Sequence, residues 1–144
     1  LHSISKKELS QPPMQTLKFL LTNSPITDKT PEWNDQFGAE TVFWGVVRGI
    51  EDGKPITGIN YTAYAAMAEK KLCEIGNEAK SIFCAHRAKI IHRTGMVYAA
   101  EPSVVIRVGC ARSSAAFEIS QWYLDKLKRV VPIWKDVVYK GNHS

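Results

Sequence analysis

The sequence predicts an α+β fold in which a mostly antiparallel sheet packs against two main helices. Two long stretches, in the middle and near the C-terminal end of the chain, carry apolar residues at three- and four-residue steps, which is typical of amphipathic helices. The other apolar stretches are short, rich in valine and isoleucine, and separated by turn residues, as hairpin-linked strands are. Because most strands follow one another directly, the pattern indicates α+β rather than a doubly wound sheet.

The length and composition indicate one domain without a membrane span. The 144 residues suit a single domain, which we assign to residues 17–144. Residues 1–16 are polar and contain prolines, so we interpret them as a loose leader that lacks the apolar core of a signal peptide. No run of 18 apolar residues is present, and we expect a cytoplasmic protein.

The three cysteines are predicted to be reduced and mostly buried thiols. Cys73, Cys84 and Cys110 are widely spaced, and no group of cysteines and histidines has the spacing of zinc ligands. We therefore expect neither a metal nor another cofactor.

Three strands are predicted in the first half of the chain. The apolar run Leu17–Leu21 has the length of a strand, and Ala39–Arg48 is dense in β-branched and aromatic residues. The alternating residues Ile56–Tyr61 follow Asp52 and Gly53, a common hairpin-turn pair, so they read as a returning strand.

The first predicted helix begins near Thr62 and continues to Ile82. Its apolar residues recur at helical spacing: Tyr64, Met67, Ala68, Leu72, Ile75, Ala79 and Ile82. Gly76 costs a helix about 1 kcal/mol relative to alanine, so we expect a close packing contact there.

The second half is predicted to contain two strands and the second helix. The strands are Lys89–Thr94 and Val104–Cys110, with a short segment between them, and His86 and Arg87 read as loop residues. The helix should run from about Ser114 to Val130, with Ser113 or Ser114 as N-cap and Pro132 after its end. Its predicted inward stripe is Phe117, Ser120, Leu124, Leu127 and Val131. The remainder reads as a short extended tail.

Basic residues near the C-terminus are the first candidates for function. The sequence has no phosphate-binding loop, dinucleotide fingerprint, zinc-protease motif or hydrolase elbow. Its net charge of +5 favours anionic partners without naming one, and nucleic acid stays open at this point. The basic set is Arg112, Lys126, Lys128, Arg129, Lys135 and Lys140. These side chains could hold an anion, with Trp134 as an apolar wall beside Lys135, or they could simply solvate the end of a helix.

Two further candidates for a functional role could equally have a purely structural one. Arg48 ends a predicted strand, where its guanidinium could grip a phosphate or could be a plain rim residue. His92 and Arg93 also end a strand, and an isolated histidine there is more often structural than catalytic.

Four segments, in this order, resemble the large, catalytic subunit of molybdopterin synthase: GAETVFWGVVR, YTAYAAMAEKKL, IIHRTG and RSSAAFEISQWYLDKLKRVVPIWK. The resemblance covers residues 38–135. It implies an α/β-hammerhead fold of the α+β class and a homodimer. It also implies that each large subunit binds a small ubiquitin-like sulfur-carrier subunit, which gives a heterotetramer.

The resemblance further implies the chemistry. The carrier's C-terminal Gly-Gly thiocarboxylate enters a pocket of the large subunit, and two sulfurs pass to cyclic pyranopterin monophosphate to form the dithiolene of molybdopterin. Lys128 and Lys135 correspond to the catalytic lysines of the family. The full set of implied substrate-binding residues is Phe43, Val46, Val47, Arg48, Ala111, Arg112, Lys128, Lys135, Asp136 and Val137.

The sequence departs from the family pattern in three places. The histidine that precedes the arginine before the second helix is replaced by Ala111, and Arg112 stands one residue further from Phe117. Asp136-Val137 replaces a basic–acidic pair, and Thr62 replaces a glutamate. These departures leave an alternative, a catalytically impaired homologue that acts as a carrier-binding module. A basic nucleic-acid binder is a weaker alternative, because the chain lacks interleaved aromatic and basic strand motifs.

Overall fold

The computed structural model describes residues 16–27 and 33–141, so nearly all of the predicted leader lies outside the described residues. The strands of this part are β1 (Thr16–Thr22), β2 (Ala39–Val46), β3 (Ile50–Glu51), β4 (Lys54–Ala63), β5 (His86–Arg93), β6 (Gly95–Tyr98), β7 (Pro102–Cys110) and β8 (Ile133–Tyr139). The helices are α1 (Ala65–Ile82) and α2 (Ser113–Val130). The α+β class is confirmed, and the assignment of residues 17–144 to one domain stays a prediction.

The larger sheet has the strand order β1-β5-β7-β2. β5 pairs antiparallel with β7, and β7 pairs antiparallel with β2. β1 pairs parallel with β5, so the sheet is mixed but mostly antiparallel, as predicted.

Both helices contribute to the main core against this sheet. The fully buried members of that core include Ala68 and Ala79 of α1, Ile106 of β7 and Ile119 and Tyr123 of α2. A Cβ atom added at Gly76 of α1 would lie 2.7 Å from Cδ1 of Leu17, which confirms the predicted close contact between helix and sheet.

The smaller sheet is built around β4, which pairs antiparallel with β3, β6 and β8. A separate small core lies on it, formed by Val47, Ile56, Ile59 and Val97. The segment after Pro132 is extended, as predicted, but it is not merely a tail, because residues 133–139 pair with β4 as strand β8.

Strand β2 leads from the large core to the small one. Its register with β7 shifts between Gly45 and Val46, so the predicted strand Ala39–Arg48 already ends at Val46. The next residue, Val47, is buried in the small core, and its backbone bonds to Glu101 and Ala100. The strand end therefore places Arg48 at the edge of the smaller sheet.

The first helix begins later than predicted because β4 is longer than predicted. Tyr61, Thr62 and Ala63 still pair with β8, so α1 starts at Ala65. Of the predicted apolar stripe, Tyr64, Met67 and Ile82 are exposed, and the remaining members are buried.

The second helix differs from prediction at its start and in its inward face. Its N-cap is Arg112 without a side-chain cap, so the prediction of Ser113 or Ser114 was wrong. Phe117 is 69% exposed, and Ala116 and Ile119 face the core instead. The rest of the predicted stripe is confirmed, because Ser120, Leu127 and Val131 are buried and Leu124 is partly buried.

Two smaller predictions were also wrong. His86 and Arg87 begin β5 rather than lie in a loop. Cys110 is buried as expected, whereas Cys73 and Cys84 are exposed. The hairpin turn at Asp52 and Gly53 is confirmed, with positive φ angles of 52° and 73°.

Candidate functional site

Lys135 lies on β8 at the boundary between the two cores. Alternate residues of a strand share a face, so Lys135 shares one with Ile133 and Val137. Ile133 packs against the large core and Val137 against the small one, whereas Lys135 itself is exposed. The ammonium group therefore stands where the two cores separate.

A cleft of about 570 Å³ opens beside this position. Its lining residues are uncharged and mostly polar: Leu21, Thr22, Asn23, Tyr61, Thr62, Ala63, Ala65 and Thr94. Residues 61–63 of this lining are the register partners of residues 133–135, with Tyr61 opposite Lys135. The cleft thus lies along the strand neighbouring the lysine.

The start of α1 adds a favourable field for anions. Its N-cap, Tyr64, makes no side-chain cap, and the first turn contains no acidic residue. Ala65, the first helical residue, lines the cleft. Uncapped backbone amides at a helix N-terminus attract negative charge, so this end of the cleft suits an anionic group.

Lys128 is held near the same end of the molecule by the connection between α2 and β8. It lies exposed in the last turn of α2, a few residues before Pro132. The Pro132 carbonyl accepts a hydrogen bond from the Tyr64 amide at 3.3 Å, which ties the end of α2 to the start of α1. The structure therefore brings Lys128, Lys135 and the α1 N-terminus to one region.

Arg48 lies at the other end of the smaller sheet. Gly49 accepts a hydrogen bond from Ile56, five residues along β4 from Tyr61, which corresponds to roughly 17 Å of strand. The Arg48 guanidinium lies 3.4 Å from Glu51, with the two side chains 77% and 30% exposed. Such a solvated ion pair is weak, so the guanidinium can exchange Glu51 for another anion at little cost.

The neighbours of Arg48 on β2 differ in what they can contact. Val46 is exposed and Phe43 is partly buried against the large core. Val47 is only 3% exposed, so its side chain serves the small core and a ligand could meet only its backbone.

Ala111 and Arg112 are separated from the lysines by the full length of α2. Sixteen residues of helix between Arg112 and Lys128 correspond to about 24 Å. That distance exceeds what the two side chains can span together, so Arg112 does not join Lys128 within one chain. A small cavity of about 170 Å³ lies near this end, lined by residues that include Phe37, Arg87 and Gly109.

The two remaining predicted residues of β8, Asp136 and Val137, lie on opposite faces of the strand. Asp136 lies opposite Asn60 on the outer face of the strand, and Trp134, 58% exposed, shares that face. The expectation that Trp134 walls the ammonium of Lys135 was therefore wrong. Val137 lies on the inner face and packs against the small core.

The rest of the basic set consists of surface residues of the helix and the turn. Lys126 pairs with Glu78 at 3.1 Å, and Arg129 donates to the Asp125 carbonyl at 3.3 Å. Lys140 is exposed in the turn after β8. Lys126 and Arg129 therefore have partners on the helix surface, which agrees with the alternative that they only solvate the end of the helix.

His92 and Arg93 have structural partners. His92 is buried, contacts the Arg93 carbonyl through Nδ1 at 2.7 Å and meets the Tyr61 ring edge-on at 5.0 Å. Burial lowers the pKa of His92, which keeps its ring neutral. The buried Arg93 guanidinium lies 3.2 Å from Glu101 and donates to the Met96 carbonyl at 3.3 Å.

Tyr61 was not singled out from the sequence. Its importance arises from the pairing register, which places it opposite Lys135 and between β8 and β6. Only the alternation of residues 56–61 hinted that it lies on an inner face. No group of metal-binding side chains occurs in residues 16–27 and 33–141, and no helix there is long and apolar enough to cross a membrane.

Comparisons with known proteins agree on one family. Residues 21–130 match the family model described as MoaE protein. The chain is 42% identical over 108 residues to the molybdopterin synthase catalytic subunit of Thermoplasma volcanium, covering 74% of this chain and 79% of that one. It is 32% identical over 130 residues to the subunit of that name from Bacillus subtilis, covering 88% and 83%.

Solved structures agree with the fold. Molybdopterin synthase from Staphylococcus aureus is 30% identical with a TM-score of 0.77, covering 84% of this chain and 90% of that one. A complex of subunits 1 and 2 of the molybdopterin-converting factor from Helicobacter pylori has a TM-score of 0.61 at 22% identity, covering 89% and 92%, and supports the fold alone.

Proposed function

The chain belongs to the MoaE protein family, and on that basis we propose that it is the catalytic subunit of a molybdopterin synthase. It transfers sulfur from a thiocarboxylated small carrier subunit to cyclic pyranopterin monophosphate, which forms molybdopterin. The observation that supports this most directly is the position of Lys135 at the junction of the two cores, beside an uncharged polar cleft.

Lys135 and Lys128 are proposed to stabilise the negative charge of the reaction. Among the described residues, neither lysine has a carboxylate partner, so both ammonium groups can face an incoming anion. When the carrier's sulfur attacks the pterin, charge develops on an oxygen, and the carrier stays joined to the sulfur through its acyl carbon. Water then attacks that carbon, the C–S bond breaks, and the carrier leaves as a carboxylate. A fixed cation at that place lowers the energy of both states.

Arg48 is proposed to bind the phosphate or the pterin. A guanidinium presents two parallel N–H donors, which fit two phosphate oxygens. Its weak pairing with Glu51 at 3.4 Å supports this role, because a phosphate that accepts two N–H bonds competes well against one solvated carboxylate. Val46 ends β2 and would contribute apolar contact, and Phe43 lies three residues earlier on that strand, partly buried against the large core.

Arg112 is proposed to act in the pocket of a second copy of the chain. It lies about 24 Å from Lys128 along α2, so it cannot complete the lysine site of its own chain. In a two-fold homodimer, each copy supplies the same patch to the other, and Arg112 with Ala111 could enter the partner's pocket. Dimers that each bind two carriers would form a heterotetramer.

The cleft beside Lys135 is proposed to receive the carrier's C-terminus. A Gly-Gly terminus is slim and offers mainly backbone donors and acceptors, which suit hydroxyl groups such as those of Thr62 and Thr94. Its terminal thiocarboxylate would then approach Lys135 and the uncapped amides of α1. We also propose that the protein works in the cytoplasm.

The alternative function is that of a homologue that binds the carrier but does not catalyse sulfur transfer. Ala111 in place of the family's histidine removes one donor from the proposed partner pocket, which is the specific observation that favours it.

A reconstituted assay separates the two functions. The purified protein is mixed with a thiocarboxylated carrier and cyclic pyranopterin monophosphate, and molybdopterin is measured. Product that forms with this chain and not with its Lys135→Ala variant supports the enzyme. Carrier binding without any product would instead establish the binding module.

A further inference from the structure

Two of the three cysteines meet at one end of the larger sheet. Cys110 ends β7 and is fully buried, whereas Cys84 precedes β5 and is exposed. In the antiparallel register, His86 lies opposite Cys110, and Cys84 stands two residues before His86. Cys84 therefore lies beside the end of β7 that carries Cys110.

The two side chains also lie close to each other. Burial is the main cause that raises the pKa of the Cys110 thiol, and the neighbouring Cys84 side chain raises it further. Residues 83–85 connect α1 to β5 and are not regular strand. Cys73, by contrast, lies exposed on α1.

We propose that Cys84 and Cys110 are a site of oxidative modification, at which a hydroperoxide converts the two thiols into one intramolecular disulfide. The exposed position of Cys84 lets a small oxidant reach it, and the neighbouring Cys110 supplies the second sulfur. The buried Cys110 needs no access to the oxidant, because its reaction is intramolecular.

The chemistry balances with one hydroperoxide per disulfide. The Cys84 thiolate attacks one peroxide oxygen, the O–O bond breaks, and a sulfenic acid and one molecule of water or alcohol result. The Cys110 sulfur then attacks the Cys84 sulfur, the S–O bond breaks, and water leaves with the thiol proton. Burial raises the pKa of Cys110, so the second step should be the slower one.

The modification would change the segment before α2. The reduced Cys110 thiol donates a hydrogen bond to the Arg112 carbonyl, with Sγ 3.2 Å from the oxygen. A disulfide sulfur has no proton, so this bond is lost, although the Ala116 amide still donates to the same carbonyl at 3.0 Å. The cross-link also ties the start of β5 to the end of β7, next to the residue that we place in the partner's pocket.

Peptide mapping tests the pairing directly. The reduced full-length protein is treated with a few equivalents of hydrogen peroxide, the remaining thiols are alkylated, and the protein is digested with trypsin without reductant. Cleavage after lysine and arginine releases residues 81–87 with Cys84, residues 108–112 with Cys110 and residues 72–80 with Cys73. The proposal predicts a covalent adduct of the first two peptides and an alkylated third peptide.

Single variants give the matched controls. Cys73→Ser should leave the adduct and its rate of formation unchanged, because Cys73 is exposed and plays no part. Cys84→Ser, also at an exposed position, should abolish the adduct and leave Cys110 reduced. Recovery of residues 108–112 as the alkylated peptide from oxidised wild type would overturn the proposal, as would an adduct that contains residues 72–80.

Discussion

The Cα atom of Lys135 lies opposite that of Tyr61 across the β4–β8 ladder, and the two side chains share the inner face of the smaller sheet. On its other side, Tyr61 pairs with Gly95 of β6, and its ring meets the buried imidazole of His92. The strand that faces the proposed catalytic lysine is thus fixed from two directions.

Replacing Lys135 by alanine should stop turnover without unfolding the protein. Loss of one preorganised charge from a transition state costs about 10²–10³ in rate. The side chain is exposed, so we expect the free energy of unfolding to change by less than about 0.5 kcal/mol. The measurement is molybdopterin formation in the reconstituted assay, beside a urea titration. Lys140→Ala removes the same charge from the far end of β8, and equal loss in both variants would contradict a specific role.

Arg48→Ala should weaken substrate binding more than it slows the chemical step. Removing a phosphate contact by a guanidinium costs about 1.5–3 kcal/mol, so KM for the pterin should rise by roughly 10- to 150-fold. Glu51→Gln is the control, because it releases the guanidinium from its 3.4 Å pair and leaves the arginine in place. A KM that stays unchanged in Arg48→Ala would place the phosphate elsewhere.

Mixed dimers should reveal whether Arg112 works in the partner's pocket. Arg112→Ala and Lys135→Ala are each expected to be inactive alone. If both residues serve one site from different chains, random mixing gives half mixed dimers, each with one intact site, and recovers about 25% of wild-type activity. Co-expression with two affinity tags isolates the mixed dimer for assay. Activity that stays as low as in the inactive single variants would show that Arg112 acts within its own chain, and an active Arg112→Ala homodimer would show that it has no role.

Gly58→Ala should destabilise the smaller sheet. A Cβ atom at Gly58 would lie 2.3 Å from the Val97 carbonyl oxygen and 2.9 Å from Cα of Tyr98, so β4 and β6 would have to separate. Overpacking of this kind costs about 1–3 kcal/mol. Gly49→Ala is the matched control, because an added Cβ atom there meets no atom within 4 Å. Urea unfolding of both variants checks this, and similar midpoints would contradict the expectation.

The protein should lose stability as the pH falls through the range of histidine titration. Burial lowers the pKa values of His86 and His92 below their ordinary 6.5, so the unfolded chain binds protons that the folded chain does not. This stability is fully present above pH 6.5 and is lost below it. The free energy of unfolding should therefore be lower at pH 5.5 than at pH 7.5. His92→Asn should reduce this difference in the free energy of unfolding. An unchanged pH dependence in that variant would show that His92 does not contribute to it.

Much of the fold could be predicted from the sequence because its signals are local. The helical spacing from Ala68 to Ala79 lies within one helix, and the valine-rich run from Val104 to Cys110 lies within one strand. Each pattern can therefore be recognised without knowing what the element pairs or packs with. The boundary errors have non-local causes. Thr62 continues the apparent pattern of the first helix, yet its pairing with Trp134, some seventy residues later, keeps it in β4.

The candidate site was harder to predict than the fold. Charged residues such as Lys128 and Lys135 can be picked out by type, but side-chain direction depends on strand pairing. Trp134 and Lys135 are neighbours in sequence and lie on opposite faces of β8. Tyr61 gains its position only from the register with β8, which the sequence does not display.

The two separate cores imply that the smaller and the larger sheet differ in their stability against local unfolding. The small core contains four buried residues, and β8 pairs only with β4 among the described strands. The larger sheet, in contrast, is held by a core with members from both helices. We therefore expect the amide protons of residues 133–139 to exchange with deuterated solvent well before those of β5 and β7. Strand β8, which carries Lys135, would then open before the larger sheet. The carrier could therefore dissociate after sulfur transfer while the rest of the protein stays folded.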